Sequence, residues 1–515
     1  MIDRSRLRTP PQSADVLIEP AASGLPALLR PARDADPEWC GVTVSRWRNR
    51  LRDRLDLPPD RPLIVTGHQA EFFHAGVLAK SLAAGELAEQ CGGTAVWLVV
   101  DFDTPKSLRM RVPQRTAGGL RLVEVEIPAL RPGLPMQRQP AAPRSHWLDF
   151  FERAATLVPD PSRTILSTVA DAFCAADGAI TLSDGIDRAR ERVESLLAQP
   201  SRTVRAAHMC ESAAFRAFAA DLALRAEEVA AAYNDAQRVY RARHGVRNAA
   251  IPAPPLATVA GRVELPLWIL RPDGRRARPF VQRGGDDLRF FADDDLLGTV
   301  AGATLRDPAS ADSPWPILPP GALLRPRALT FSAFARMAVA DLFIHGIGGA
   351  KYDEMTEAYC TALYGPALAP AACVTATAWA DLPRFGVPAT TVDAARRRAR
   401  DVIQNPQRHT SQASAELLER REALVRENRV LREERPRDRR ARRAVYEQLR
   451  AVRRELSASE PWLPARSAEE LRELEARQEQ DRAATDRELF FGLIPMDVLQ
   501  TITARIRAEL DRSAS

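Results

Sequence analysis

The chain of 515 residues has no long apolar run, no closely spaced cysteine pair and very little lysine. Its six cysteines are scattered without a C-x-x-C pair, which argues against a zinc knuckle and a dense disulfide framework. Apolar runs such as residues 95–100 are far too short to span a bilayer. The first residues are polar and lack an apolar signal segment. We therefore expect a folded cytoplasmic protein of two to four domains, without a membrane partner.

Basic and acidic residues are nearly balanced, with 73 against 67 and a formal net charge of +6. Over a chain of this length, such a charge does not predict nucleic-acid binding. Only three of the basic residues are lysines, namely Lys80, Lys106 and Lys351. Because arginine is so abundant here, each lysine is a candidate for a position that needs a compact ammonium charge.

The apolar pattern predicts an α/β protein with a parallel-sheet core. A β-branched run at 62–66 predicts a strand that stops at Gly67, and helical spacing follows over 75–90. A continuous apolar run at 95–100 is typical of a strand buried on both faces. These three segments form a βαβ unit, which is expected to be right-handed.

The core resumes late in the chain. Residues 342–345 and 373–379 predict two further strands, joined by a helix over about 351–364. The region between the two parts of the core predicts a β-hairpin around 117–119, helices over 147–245 and a β-meander over 264–291. The expected domain boundaries are 1–146, 147–320, 321–390, 391–488 and 489–515, with the first and third forming the core and the last packing back on it.

Residues 391–488 predict a helical arm. Leu417, Leu424 and Leu431 are seven apart, and a second stripe runs from Val445 to Leu456 at spacings of four, three and four. Such seams are typical of a coiled coil, here an antiparallel hairpin with its tip near 435–443. We expect this arm to dimerise the protein. The six arginines at the tip are interpreted as a solvated end, with no aromatic residue among them to stack on bases, so nucleic acid is not an expected partner.

The first candidate site is the segment from Gly67 to Lys80. In open α/β sheets, ligands bind beyond the carboxyl ends of the strands, where helix N-termini offer free N–H groups. Gly67, His68 and Gln69 lie at that edge, and His74 lies at the start of the following helix. The alternative is that His74 only caps the helix and that Lys80 is a solvated helical residue.

A second candidate site follows the next strand, at Asp101 and Asp103. If strand alternation continues, both carboxylates point to the same side, where they could hold an amine, bind Mg²⁺ or act as a base. Alternatively, Asp101 only ends the strand and Asp103 caps a turn.

The third candidate is the glycine-rich segment after residues 342–345. It comprises His345, Gly346, Gly348, Gly349 and Lys351. Its glycines would let a ligand approach the backbone, and successive N–H groups would form an anion-binding nest with Lys351 as the counter-charge.

A metal-dependent hydrolase using His68, His74, Asp101 and Asp103 is an alternative interpretation. No H-x-x-x-H or H-E-x-x-H spacing places two of these residues on one helical face. We therefore assign no metal ligands and favour a nucleotide site.

The core motifs resemble those of the cysteine-adding enzyme of bacillithiol biosynthesis. The matching residues are 65–69, Phe73, Gly76, Lys80 and 101–103, and the segments 324–326 and 346–352 resemble that family's second core signature. The chain differs from the family at His68, which stands in place of a glutamine, and at Phe102, which stands in place of the histidine of an acid-rich motif. The resemblance implies a Rossmann-like core, inserted connective regions and an antiparallel coiled coil.

The resemblance also implies a function. It predicts a ligase-like enzyme, a homodimer, that joins an amino-acid carboxylate to an amine on a small molecule with the help of ATP or ADP and, optionally, Mg²⁺. In this hypothesis Gly67, His68 and Gln69 contact phosphate or the activated carboxylate, Lys80 and Lys351 neutralise negative charge, and Asp101 and Asp103 hold the amine. A different class of function remains open, in which a degenerate core only folds and the coiled coil makes this a non-catalytic assembly protein.

Overall fold

The structure is a computed structural model that describes residues 2–29, 35–116, 119–248, 253–315 and 317–512. In these ranges the chain forms 17 α-helices and 20 β-strands. The strands are β1 (Val16–Glu19), β2 (Glu38–Trp39), β3 (Val42–Thr43), β4 (Leu63–Gln69), β5 (Thr94–Val100), β6 (Arg109–Thr116), β7 (Gly119–Glu126), β8 (Ala142–Pro143), β9 (Ala179–Ile180), β10 (Arg202–Arg205), β11 (Thr258–Val259), β12 (Arg262–Glu264), β13 (Leu267–Leu270), β14 (Arg276–Ala277), β15 (Pro279–Gly284), β16 (Asp287–Ala292), β17 (Asp295–Ala301), β18 (Leu323–Pro326), β19 (Leu342–His345) and β20 (Ala371–Ala376).

The helices follow the apolar spacing of the sequence. They are α1 (Leu25–Leu28), α2 (Val44–Arg54), α3 (Ala75–Cys91), α4 (Arg144–Leu157), α5 (Leu166–Phe173), α6 (Leu182–Leu197), α7 (Ala206–Cys210), α8 (Ala213–Leu224), α9 (Ala226–His244), α10 (Gly302–Arg306), α11 (Ala328–Ala338), α12 (Ile347–Tyr364), α13 (Ala389–Gln404), α14 (Ala415–Glu434), α15 (Arg439–Ser459), α16 (Leu463–Ala484) and α17 (Met496–Asp511).

A mixed six-stranded sheet, mostly parallel, organises the larger part of the chain. Its order is β1-β20-β19-β4-β5-β10, and only β1 runs antiparallel to its neighbour. This confirms the predicted α/β class and the parallel pairing of β4 with β5. The third parallel strand, β10, was not predicted. Its sequence, Arg-Thr-Val-Arg, has one buried apolar side chain and therefore no apolar run.

Strand β4 is longer than predicted. It continues through Gly67 and His68 to Gln69, which pairs in parallel register with Val100 of β5. The prediction that the strand stops at Gly67 was therefore wrong. A β-carbon at Gly67 would collide with the carbonyl oxygen of Leu98. The neighbouring strand thus requires glycine at this position, whatever binds nearby.

The glycine-rich segment after β19 is also different from the prediction. Helix α12 begins at Ile347, directly after its N-cap residue Gly346, so Gly348 and Gly349 lie in the first helical turn. None of these three glycines has a positive φ. The expected nest, which requires alternating backbone conformations, is replaced by a helix N-terminus.

The region between the two parts of the core contains helices and a five-stranded antiparallel meander, β11-β12-β15-β16-β17. Strand β13 was predicted to belong to this meander but pairs instead with β14 and β18. Strands β6 and β7 form the predicted hairpin, although residues 117 and 118 of its turn lie outside the described residues.

The chain divides into two units. The first contains residues 1–112, 123–381 and 487–515, and the second contains residues 113–122 and 382–486. In the first unit, a large apolar core around Trp39, Phe218 and Phe334 includes Leu63 and Val65 of β4. The segment after residue 486 returns to this unit, where α17 packs on α3.

In the second unit, α13 packs on α16 and α14 packs on α15. The two predicted seams meet in one apolar cluster that contains Leu424, Leu431, Val445, Val452 and Leu456. Because each stripe covers the other within one chain, the stripes give no reason of their own to expect a dimer. Among the helices of the described residues, none combines the length and the apolar character needed to cross a membrane.

Candidate functional site

A cavity of about 240 Å³ lies at the carboxyl ends of β4, β5 and β19. Along the chain, the five parallel strands are β4, β5, β10, β19 and β20, so the strand order reverses between β4 and β19. Ligands of open α/β sheets bind at such a switch point. We call this the switch-point cavity. Its polar wall is made by Gln69, Asp103, Arg327, Ser332 and His345, and its aromatic wall by Phe102, Trp268, Phe331 and Phe343.

Gln69 and Asp103 form the polar centre of this cavity. The Gln69 Nε2 donates to Asp103 Oδ2 at 2.7 Å, and an Arg276 guanidinium nitrogen donates to Asp103 Oδ1 at 2.6 Å. The Gln69 Oε1 atom is buried and has no hydrogen-bond partner in the described part of the chain. A buried acceptor without a partner costs about 1–3 kcal/mol. A ligand N–H group in the cavity would remove that cost.

The N-terminus of α11 also faces the switch-point cavity. Its N-cap residue Arg327 and its first residue Ala328 line the cavity, and no side chain caps the helix. The Arg327 guanidinium is instead held by Glu264 and lies 4.2 Å from the centre of the Trp268 ring. The first N–H groups of α11 therefore remain available to an anionic group.

His345 ends β19 and lines the cavity next to the start of α12. Its Nε2 lies 3.4 Å from Asp353 Oδ2, and Arg336 also donates to Asp353. Burial opposes the charge on Asp353, but His345 and Arg336 outweigh it and lower the pKa of that carboxyl to about 2. The Asp353 carboxylate thus lies beside the imidazole at the cavity wall.

Lys80 is buried and lies outside the lining of the cavity. Its Nζ donates to the carbonyl oxygen of Gly67 at 2.5 Å and lies 5.6 Å from the centre of the Trp97 ring. Burial lowers the pKa of Lys80 to about 7. Lys80 was predicted to neutralise the negative charge of a ligand, but its side chain does not line the switch-point cavity.

His68 and His74 line a different cavity, of about 330 Å³, together with Glu71, Lys106 and Glu488. We call this the histidine pocket. The His68 Nδ1 lies 3.7 Å from Glu71 Oε1, and burial, followed by Lys80 and Lys106, lowers the pKa of His68 well below its ordinary value. The His74 Nδ1 accepts a hydrogen bond from Gly76 N at 3.0 Å. His74 is therefore the N-cap of α3, as the alternative interpretation held.

Asp101 and Asp103 do not act as a pair. Strand β5 ends at Val100, so strand alternation does not extend to them. The Asp101 Oδ1 accepts from Ala207 N at 2.9 Å at the start of α7, and burial raises the pKa of this carboxyl. Only Asp103 lines the switch-point cavity.

Lys351 lies away from the other candidates. It is exposed and borders a groove of about 790 Å³ that is also lined by Arg4, Arg243 and Glu354. Of the three candidate segments, the switch-point cavity thus brings together Gly67, Gln69, Asp103 and His345, whereas His68, His74, Lys80, Asp101 and Lys351 lie elsewhere.

The residues proposed for a metal-dependent hydrolase have separate partners. His68 faces Glu71, His74 caps α3 and Asp101 binds α7. In the described ranges, no three His, Cys, Asp or Glu side chains are grouped so that they could hold a metal ion.

Sequence reasoning missed the residues that the inserted region and the start of α11 contribute to the site. Trp268, Arg276 and Arg327 come from β13, β14 and the start of α11, and they reach the core only through tertiary contacts. The only sequence signal close to these residues was the segment 324–326, which resembles a core signature and directly precedes Arg327.

These features define an α/β protein with a cavity at the switch point of its main sheet. No protein-family model matches the chain, and no curated protein matches it.

Proposed function

We propose that this protein is a ligase-like enzyme that joins a carboxylate to the amine of a small molecule in the switch-point cavity. The observation that carries the proposal is that one cavity is lined by Asp103 and by Gln69, whose buried Oε1 has no hydrogen-bond partner among the described residues. An amine or ammonium group supplies the N–H donors that such an acceptor requires.

The carboxylate partner is assigned to the opposite side of the cavity. The uncapped N-terminus of α11 offers backbone N–H groups and a positive dipole end, which favour a carboxylate and the negative charge that develops on it during amide formation. Bringing the two reacting groups together would account for much of the rate enhancement.

The size of the cavity limits what it holds. At about 240 Å³ it is below the range of about 300–1,000 Å³ that is typical of ligand pockets. We therefore assign the reacting amine and carboxylate to the cavity, and the phosphates of ATP or ADP to the start of α12. A β-carbon at Gly348 would meet no protein atom within 4 Å, which leaves open space at that helix N-terminus.

A Rossmann-like core and a coiled-coil arm are part of this proposal. The order of the five parallel strands, third-second-first-fourth-fifth, is the one found in Rossmann-like folds. The apolar cluster between α14 and α15 supports a coiled coil. The resemblance to the cysteine-adding enzyme also leads us to propose a homodimer. Light scattering should then give twice 56.8 kDa, and a mass near 56.8 kDa would contradict it.

Two experiments test the proposed function. Calorimetric titration of the protein with ATP, ADP and AMP, with and without Mg²⁺, should give saturable binding below millimolar concentration. Incubation with ATP and a small-molecule extract, followed by mass spectrometry, should give new species whose mass equals an amino acid plus an extract amine minus water. If no nucleotide binds at millimolar concentration and no such product forms, the protein is not this enzyme, and the assembly-protein interpretation gains support.

A further inference from the structure

Nine residues of this protein have a net charge almost equal to that of the whole chain. Residues 435–443 contain six arginines and one aspartate, a net charge of +5, whereas the whole chain has a net charge of +6. Helix α14, by contrast, has five arginines against six glutamates over 415–434. The excess is therefore a local feature of the turn between α14 and α15, which we call the arginine tip.

Three arginines of the tip differ in their contacts from the arginines along the arm, whereas Arg443 pairs with Glu447 at 3.0 Å. Arg437, Arg439 and Arg440 are exposed, and their side chains have no ion pair or hydrogen bond with any residue that the structure describes. Along α14, Arg420 pairs with Glu455 at 3.6 Å and Arg429 pairs with Glu433 at 3.0 Å. The tip thus presents guanidinium groups that no acidic side chain neutralises.

The position of these arginines is unfavourable for the isolated protein. Arg439 and Arg440 begin α15, and the N-terminal end of a helix carries a partial positive charge. Cations placed there are unfavourable, and the only acidic residue at this helix end is the N-cap Asp438, whose Oδ1 accepts from Ala441 N. A bound anion would convert both the arginines and the helix end into favourable interactions.

Although the sequence alone favoured a solvated end, we propose that the arginine tip binds nucleic acid through its phosphates. Guanidinium groups form paired hydrogen bonds with phosphate oxygens, and unpaired arginines at a helix N-terminus offer several such contacts within a short span. Tyr446 follows one turn later on α15 and is 57% exposed, with the Arg450 guanidinium 6.0 Å from the centre of its ring. This ring can stack on an unpaired base. Between residues 435 and 443 the only uncharged side chains are Pro436 and Ala441, so the tip has no large apolar group to insert into a membrane.

The test uses the full chain and a fluorescein-labelled RNA hairpin of about 30 nucleotides with an unpaired loop. Anisotropy at about 50 mM salt should show micromolar binding. With four phosphate contacts, log K should fall against log salt with a slope of about −3. The variant R437Q/R439Q/R440Q should bind at least about tenfold more weakly, with a slope nearer to zero.

A matched control separates the tip from the general charge of the arm. The variant R420Q/R426Q/R429Q removes the same number of charges from paired arginines of α14 and should bind within twofold of the natural chain. Melting temperatures should show that the tip variant is at least as stable as the natural chain, because it removes cations from a helix N-terminus. The proposal is overturned if the natural chain does not bind the RNA at about 50 mM salt, or if both triple variants lose binding equally. Tighter binding to anionic lipid vesicles or to polyglutamate than to RNA would also overturn it.

Discussion

The switch-point cavity and the histidine pocket are built from the same end of one strand, yet their walls differ in chemistry. Successive side chains of β4 point to opposite faces of the sheet, so Gln69 reaches the first cavity and His68 the second. In the switch-point cavity, an acceptor of Gln69 remains without a partner beside Asp103. In the histidine pocket, His68 and His74 face Glu71 and Glu488.

Proximity in sequence therefore does not place residues in one site. The histidines are the most conspicuous side chains of the segment, but the Nδ1 of each has a backbone partner, the Gln69 carbonyl oxygen for His68 and the Gly76 N–H for His74. A cavity whose polar atoms lack protein partners is a better candidate for a ligand than one whose polar atoms are already paired.

The largest expected effect concerns Asp103. Replacement by Asn removes the charge that receives the amine, and a hydrogen bond to a charged group contributes about 1.5–3 kcal/mol. Ligation measured by mass spectrometry should fall about 10- to 100-fold in Asp103→Asn. Glu71→Gln makes the equivalent change in the histidine pocket and should leave the rate within twofold. Equal losses in both variants would remove the distinction between the two cavities.

Lys80, which lies on the His68 side of the sheet, provides a test of the electrostatics. Burial lowers its pKa to about 7 in the folded protein, against 10.5 for an ordinary lysine. Between pH 7 and pH 10.5, Lys80 therefore holds its proton in the unfolded chain but loses it in the folded protein. The free energy of unfolding should thus rise with pH from about 7.

Between pH 7 and pH 9, the free energy of unfolding of the natural chain should rise by on the order of 2 kcal/mol relative to Lys80→Met. Urea unfolding at the two pH values provides the measurement. A parallel pH dependence in the natural chain and in Lys80→Met would show that Lys80 keeps its ordinary pKa.

A smaller effect is expected at Gly348. Because a β-carbon there meets open space and the residue lies in the first turn of α12, Gly348→Ala should stabilise the protein by about 0.5–1 kcal/mol. The same methyl group would occupy the space assigned to phosphate and should weaken ATP binding about tenfold in calorimetry. Higher stability with unchanged ATP binding would mean that phosphate does not approach this helix end.

The smallest effect is expected in the histidine pocket itself. His68→Gln should change ligation by no more than about twofold, since the imidazole does not line the switch-point cavity. The purified variant should be assayed beside Asp103→Asn in the same mass-spectrometric experiment. A loss as large as that of Asp103→Asn would restore His68 to the catalytic set.

The βαβ core could be predicted from the sequence because β5 is a continuous apolar run and α3 has helical spacing, both of which are local signals. The separation of His68 and Gln69 into two cavities could not be predicted, because it requires β4 to extend to Gln69. Residues 68 and 69 are polar, so the apolar pattern predicts a strand that ends two residues before Gln69. Trp268 lines the cavity and Arg276 donates to Asp103, although both come from an insertion about 170 residues after Asp103. No local sequence pattern encodes this packing. The helices of the arm could be predicted because their apolar spacing is a local signal. That the two apolar stripes cover each other within one chain was seen only in the structure.

The central claim is that ligands bind at the switch point and not at the histidine pocket. A crystal structure with a non-hydrolysable ATP analogue and an amine tests it most directly. We expect phosphate density at the start of α12 beside Gly348, and amine density within hydrogen-bond distance of Asp103 and Gln69 Oε1. Ligand density confined to the pocket lined by His68 and His74 would contradict it.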